Sequence, residues 1–252
     1  MIKVKSSQEL KIMREAGAIA KLALIECGKA VHPGVTTREL DEVARRVIKQ
    51  LGATPSFLGY QGYPAAICCS INDTVIHGIP GKLKIKEGDI VSIDVGAYYR
   101  GYHGDNADTF AAGDISDEAR RLIDVTRQSF YEGIKQAVVG NRISDISAAV
   151  QQYVEKNGYS VVRDFVGHGI GRDMHEAPEV PNYCSLRGHG PKLVKGMTLA
   201  IEPMVNSKSY GVKILPDGWT VKTVDGGLSA HYENTIVITD GEPIILTRPL
   251  ED

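Results

Sequence analysis

Apolar residues recur at helical spacing in four stretches. Leu10, Ile12, Met13, Ala16, Ile19, Ala20, Leu22 and Ala23 follow the capping box Ser6-Ser7-Gln8-Glu9 and predict a long helix to about Lys29. Thr36-Thr37-Arg38-Glu39 is a second capping box, opening a helix through Leu40, Val43, Val47 and Leu51 that stops at Gly52. Ser116-Asp117 opens a third helix, expected to run to Gly140. Ser144 opens a fourth, through Ile146, Ala149, Val150, Tyr153 and Val154, ending at Gly158. The spacing from Gly34 to Gly52 repeats from Gly140 to Gly158. After each helix pair comes a short apolar strand ending in a carboxylate, EGDIVSID (87–94) and KGMTLAIE (195–202). Each of these is preceded by a histidine–glycine pair, HGIP (77–80) and HGIG (168–171). The order helix, helix, antiparallel strands therefore occurs twice. It predicts an α+β chain, one unit over 1–252, with related halves of about 1–112 and 113–252 facing each other across a cleft.

Bulk properties narrow the function. At 252 residues, with 42% hydrophobic and 24% charged positions, the chain can bury a large core. A net charge of −2 offers no reason to expect nucleic acid as a partner. No apolar run approaches the ~20 residues that span a bilayer, and the polar N-terminus lacks the apolar core of a signal peptide. The expectation is a cytoplasmic protein with no membrane partner. Cys27, Cys68, Cys69 and Cys184 include an adjacent pair and no CxxC, which fits reduced thiols; Cys27 and Cys184 read as small buried apolar residues.

Most acids lie in helical charge runs such as Arg38-Glu39 and Asp41-Glu42 and read as solvated. Four differ. Asp94 ends the apolar run IVSID, Glu202 ends MTLAIE, Asp105 sits in GYHGDNADTF, and Glu233 starts a β-branched run in SAHYENTIVITD. Carboxylates in strands that read as buried are costly unless paired or bound to a cation. Asp94 and Asp105, with Gly101 and Gly104 between them, suit a hairpin that puts both acids on one face. With His168 the set has the charge to hold two divalent ions. Oxygen-rich ligands without thiolate suit Mn, Fe, Co or Zn in a catalytic site.

VGHGIGRDMHEAP (166–178) raises a second possibility, a phosphate-cradling loop. Gly167 and Gly169 fit a dinucleotide fingerprint, but its sixth position is Arg172, no P-loop lysine follows, and no helix pattern opens there. The glycines are expected instead to let the backbone pass close to a crowded site and turn sharply.

NDTVIHGIP, IVSIDVG…GYHGD, VGHGIGRDMHEAP, LAIEPMV and SAHYENTIV occur in the order found in methionine aminopeptidases, and the chain resembles the bacterial type I form from about residue 3 to 248. The resemblance implies the pita-bread fold and removal of the initiator methionine from nascent proteins with a small second residue. In that family pattern Asp94 chelates one ion, Asp105 and Glu233 bridge two, and His168 and Glu202 complete the second. A bridging hydroxide attacks the scissile carbonyl, Glu202 moves its proton, His175 donates to the oxyanion, and His77 positions the substrate. Phe57, Tyr60, Tyr63, Cys68, Met174 and Trp219 match the methionine slot, with His77 and His175 also touching substrate. Asn72 and Ser229 match a monovalent-cation site seen in some members. The resemblance further implies a monomer that meets nascent N-termini, with transient ribosome contact.

Among the other histidines, His103 is expected on the opposite strand face from Asp105, in a structural or solvent-facing role. His189 reads as a loop residue. His231 should share the face of Glu233 if that strand is regular; it is a candidate partner for a metal-ligating side chain, and the family pattern gives it no fixed role. An X-Pro peptidase of the same fold is the nearest alternative; such enzymes usually carry an extra N-terminal domain, and HGIP is more typical of the methionine enzymes. A ligand-free binding module is disfavoured because all five ligand positions hold competent residues. The eukaryotic forms are disfavoured because no zinc-finger extension and no large insert between Glu202 and Glu233 are present.

Overall fold

The computed structural model describes residues 2–184 and 189–250. Two helix pairs pack on the backs of antiparallel strands. Helix α1 (Ser7–Ala30) starts at a Ser6 cap with Glu9 closing the capping box, and α2 (Thr37–Gln50) starts the same way at Thr36 with Glu39. Their apolar faces bury Ala20, Leu24, Leu40, Ala44 and Ile48 against Ile67, Val91 and Ile93. Helix α3 (Asp117–Ile134), capped by Ser116, and α4 (Ile143–Lys156) form the second pair. Gly52 and Gly158, at φ +74° and +84°, take the left-handed geometry that ends α2 and α4.

Two helix boundaries differ from the sequence expectation. Helix α3 ends at Ile134 rather than Gly140, because the next residues tighten into turns, Gln136 N–H to Gly133 C=O and Ala137 N–H to Ile134 C=O. Helix α4 is capped at Arg142, not opened by Ser144. The Asp145 carboxylate reaches back to the Arg142 N–H at 2.8 Å and starts the helix one residue ahead of Ser144, whose hydroxyl is buried.

Among the described residues the main sheet has nine strands, all antiparallel. Its centre is the hairpin Ile90–Tyr99 and Tyr102–Ala111. On one side lies Ile67–Ile71. On the other, in order, lie Glu233–Val237, Thr198–Ile201, Gly167–Gly169 and Glu176–Val180. Asp94 therefore sits in the middle of a ten-residue strand rather than at its end, since the run continues through Val95, Ala97 and the tyrosines to the turn at Arg100 and Gly101.

Asp41 also departs from expectation. It is buried, not solvated: its carboxylate accepts from the N–H groups of Ala66 (2.7 Å) and Ile67 (3.2 Å) and pairs with Arg45 at 2.5 Å. Charge-assisted bonds of this kind contribute about 1.5–3 kcal/mol each. Here they tie α2 to the start of the strand that carries Cys68. Cys27 is buried as expected, whereas Cys184 is only half-buried.

Candidate metal centre and substrate pocket

Strand register alone brings the acids together. Ala107 is directly opposite Asp94 on one side and Glu233 on the other. Residues opposite each other in a ladder share a face, so Asp94, Ala107 and Glu233 form a row across three strands. Asp105, two residues before Ala107, is on the same face. Asn234 pairs with Ile201, so Glu202 is next in register to Glu233, and His168, opposite Ala200, completes the group. Cys68, opposite Asp94, extends the row toward the apolar end. Ala107 is the fully buried small residue that leaves room between two acids; sequence reasoning missed it because its role exists only in the register.

The electrostatics are those of a cluster of buried acids that favours a cation. Burial pushes Asp94, Glu202 and Glu233 well above the usual carboxylate range, and neighbouring acids push the same way. Burial raises Asp105 to about 7, with Asp94 and the Asn106 backbone pulling it back. Oδ1 of Asp94, Oδ1 of Asp105 and Oε1 of Glu233 are buried without a hydrogen-bond partner among the described residues. Ligand atoms of Asp105, His168 and Glu233 lie within 4.8 Å of one another, as do those of Glu202, His231 and Glu233. Orphaned oxygens, an anionic oxygen-rich donor set and an imidazole fit a divalent cation.

His168 is prepared for that role. Its Nδ1–H donates to the Gly169 carbonyl at 2.9 Å, so in the neutral ring the Nε2 lone pair faces the acids. Burial, with His175 nearby, lowers its pKa to about 3 and keeps the ring neutral. The flanking glycines admit close backbone approach: a Cβ on Gly167 would lie 2.4 Å from the Ala200 carbonyl oxygen, and one on Gly169 2.4 Å from that of Ala177. Neither has positive φ; they are strand glycines squeezed between neighbours, and the expected sharp turn comes just after them, in the bends at 171–175 that reverse the chain into Glu176–Val180.

A cavity of about 300 Å³ opens beside the acids. All thirteen sequence-predicted ligand and pocket residues line it, with Phe57, Tyr60, Tyr63, Cys68, Met174 and Trp219 at its apolar side. Gln61, which nothing in the sequence singled out, joins them at the mouth in a left-handed conformation (φ +49°). Tyr63 packs edge-on against Trp219 with ring centroids 5.1 Å apart. His175 stands at the mouth, its ring 4.1 Å from that of His168, and its Nδ1 lies 2.7 Å from the Tyr60 hydroxyl. Partial desolvation lowers its pKa. His77 lines the same cavity, 6.2 Å ring to ring from Trp219. Its φ of +58° is rare for a non-glycine residue and marks a constrained site. Burial, then His175, lowers its pKa to about 4.

The remaining histidines sort differently. His103, two residues before Asp105 in one continuous strand, shares its face, contrary to expectation; the period of two decides this. Its Nδ1 meets the Ser56 hydroxyl at 2.8 Å. His231 and Glu233 belong to different strands, because the chain changes sheets at Tyr232, yet His231 still faces the acids. His189 lies in an exposed loop. Asn72 and Ser229 lie outside the cavity. The Asn72 side chain is engaged with Asp89 and the Ile90 N–H, the Asn72 backbone carbonyl accepts from the Ser229 N–H, and the Ser229 hydroxyl is buried with no partner among the described residues. No helix among the described residues is long and apolar enough to cross a membrane.

The model of metallopeptidase family M24 matches residues 11–240. The chain is 57% identical to a methionine aminopeptidase of Clostridium perfringens, over 98% of this chain and 99% of that one. It is 52% identical to methionine aminopeptidase 1 of Bacillus subtilis, over 98% and 100%. The structure is similar to that of methionine aminopeptidase from Thermotoga maritima, with a TM-score of 0.96, 45% identity, and 98% and 100% of the two chains covered. The prolidase from Pyrococcus horikoshii shares the fold at a TM-score of 0.77 and 22% identity, covering 99% of this chain and 64% of that one.

Proposed function

The chain belongs to metallopeptidase family M24, with the pita-bread fold, and to the methionine aminopeptidases within it; on that premise we propose how its residues remove an N-terminal methionine. The observation that carries the reading is the row of acids with orphaned oxygens ending beside an apolar slot closed by Trp219. Asp94, Asp105, His168, Glu202 and Glu233 would hold two divalent ions, of Mn, Fe, Co or Zn. When bound, the ions supply Lewis-acid polarisation of the scissile carbonyl and lower the pKa of a water.

The protein's own groups do the rest. Glu202, half-buried and open to the cavity, accepts the proton of the attacking water and passes it to the leaving amine. His175 takes a hydrogen bond from Tyr60 at Nδ1, which leaves its Nε2–H to donate to the carbonyl oxygen as charge develops there. His77 positions the scissile amide. The methionine side chain enters between Phe57, Tyr60, Tyr63, Cys68, Met174 and Trp219. The helix-pair-then-strands order, seen twice, supports one catalytic unit of two related halves, about 1–112 and 113–252. Membership of the methionine aminopeptidases supports nascent N-termini as partners and a small second residue; cytoplasmic action, a monomer and transient ribosome contact are carried over as proposals from the same resemblance. The buried, unpartnered Ser229 hydroxyl and the Asn72 carbonyl support a monovalent cation between them.

The test offers Met-Ala-Ser and Ala-Pro peptides to one Mn(II)-loaded sample. Free methionine from the first and no cleavage of the second is expected. Cleavage of Ala-Pro alone would make the chain an X-Pro peptidase instead.

A further inference from the structure

His231 is buried, and its Nε2 has no hydrogen-bond partner among the described residues. That nitrogen lies 3.8 Å from Oε2 of Glu202 and 3.9 Å from Oε2 of Glu233. On the other side, Nε2 of His168 stands 3.7 Å from Oε1 of Glu202. The Glu202 carboxylate is thus flanked by one imidazole nitrogen on each oxygen. The two imidazoles are not equivalent. His168 gives its Nδ1 proton to Gly169 and presents a lone pair. His231 Nε2 faces carboxylate oxygens, which accept, so the tautomer that suits it carries the proton there.

The position of His231 is also held. Thr109 Oγ1 accepts from the His231 N–H at 3.0 Å and donates to its C=O at 2.8 Å. Ser92 Oγ, directly across the hairpin, lies 2.8 Å from the same Thr109 oxygen. The hairpin that carries Asp94 and Asp105 therefore also fixes His231. Met204 pairs with His231 while Ile201 pairs with Asn234, so the chain on both sides of Glu202 runs beside the chain on both sides of His231.

We propose that His231 is a positioning residue whose Nε2–H donates to the Glu202 oxygen turned away from His168, holding that carboxylate in the orientation that binds a divalent ion and takes the water's proton. The proposal rests on the metallopeptidase reading above. The separation is about 1 Å longer than a hydrogen bond, and the proposal requires the Glu202 carboxylate, which lines the cavity, to turn toward His231. Partners of this kind contribute about 10- to 100-fold in metal affinity or activity.

The test compares wild type, His231→Leu and His231→Gln. Calorimetric titration with Mn(II) alone and the visible spectrum of Co(II) read the centre; Met-Ala-Ser hydrolysis reads turnover. His231→Leu should bind Mn(II) about 10- to 100-fold more weakly and lose kcat at saturating metal with KM little changed. His231→Gln, whose amide still donates, should recover most of both. His231→Asn keeps a donor with shorter reach; it should behave as Leu does, and replaces Leu if that variant does not fold. Wild-type Mn(II) affinity and kcat in the Leu or Asn variant overturn the proposal. So does a Gln variant as weak as Leu whose Co(II) spectrum shows a lost ligand, since the imidazole would then bind the ion itself. A wild-type protein that binds no Mn(II) and releases no methionine overturns the metallopeptidase reading along with it.

Discussion

Replacing Tyr60 with Phe isolates how one hydroxyl would prepare His175, the proposed oxyanion donor. The Tyr60 hydroxyl lies 2.7 Å from Nδ1 of His175, and the rings are 5.2 Å apart. With the imidazole neutral, only one nitrogen carries a proton, and in the proposed arrangement the hydroxyl donates to Nδ1, which leaves that proton on Nε2. A neutral hydrogen bond contributes about 0.5–1.5 kcal/mol. His175 is exposed at the pocket mouth, so the lower half of that range applies, about 0.5–1 kcal/mol or a 2- to 5-fold loss of kcat. The aromatic ring remains in the proposed methionine slot, so KM for Met-Ala-Ser should stay within about twofold. His175→Ala removes the donor itself and should cost about 10²–10³ in kcat. If Tyr60 acts on turnover through His175, the double variant should be no slower than His175→Ala alone. The assay is steady-state methionine release at saturating Mn(II). An unchanged kcat in Tyr60→Phe, or losses that multiply in the double variant, would refute the coupling.

Three further outcomes follow from the acid row. Asp94→Ala and Glu202→Ala should abolish turnover; substantial methionine release by metal-stripped Asp94→Ala would sink the mechanism. Ala107→Leu should fill the gap between Asp94 and Glu233 and lower bound metal, measured by elemental analysis, with the fold retained by circular dichroism; full metal content would show that the gap is not needed. The third outcome concerns pH. In metal-stripped protein the four carboxylates keep their protons to higher pH folded than unfolded, Asp105 to about 7. Their contribution to stability is complete below the unfolded range near about pH 4 and lost as pH rises through the folded values. His168 and His231, lowered to about 3 by burial, oppose this only below about pH 6.5, where unfolded imidazoles protonate. From about pH 6.5 to 8.5 stripped protein should lose about 1.4 kcal/mol per pH unit for each carboxylate still holding a proton. Calorimetry in chelator that shows Tm rising over that interval would contradict the burial of these acids.

Much of this was legible because the chemistry sits in strands and caps. Capping boxes at Ser6 and Thr36 placed two helix starts to the residue, and period-two alternation put Asp94 and Asp105 on one face. Where sequence reasoning failed, a long-range partner decided. Asp41 reads as one charge in a run, and only the amides of Ala66 and Ile67 explain its burial. Ser144 looks like a cap, but the Asp145 carboxylate captures the amide of Arg142 instead. Ala107 has no signal of its own; its meaning is the register that sets it between two acids. His103 was assigned to the wrong face although the alternation itself was sufficient to place it.

The most direct measurement titrates metal-stripped protein with Mn(II) while following both bound metal and methionine release from Met-Ala-Ser. Turnover should be absent in chelator, appear with the first equivalents of bound ion, and vanish in Asp94→Ala. Full methionine release by protein shown to hold no divalent ion would contradict the account.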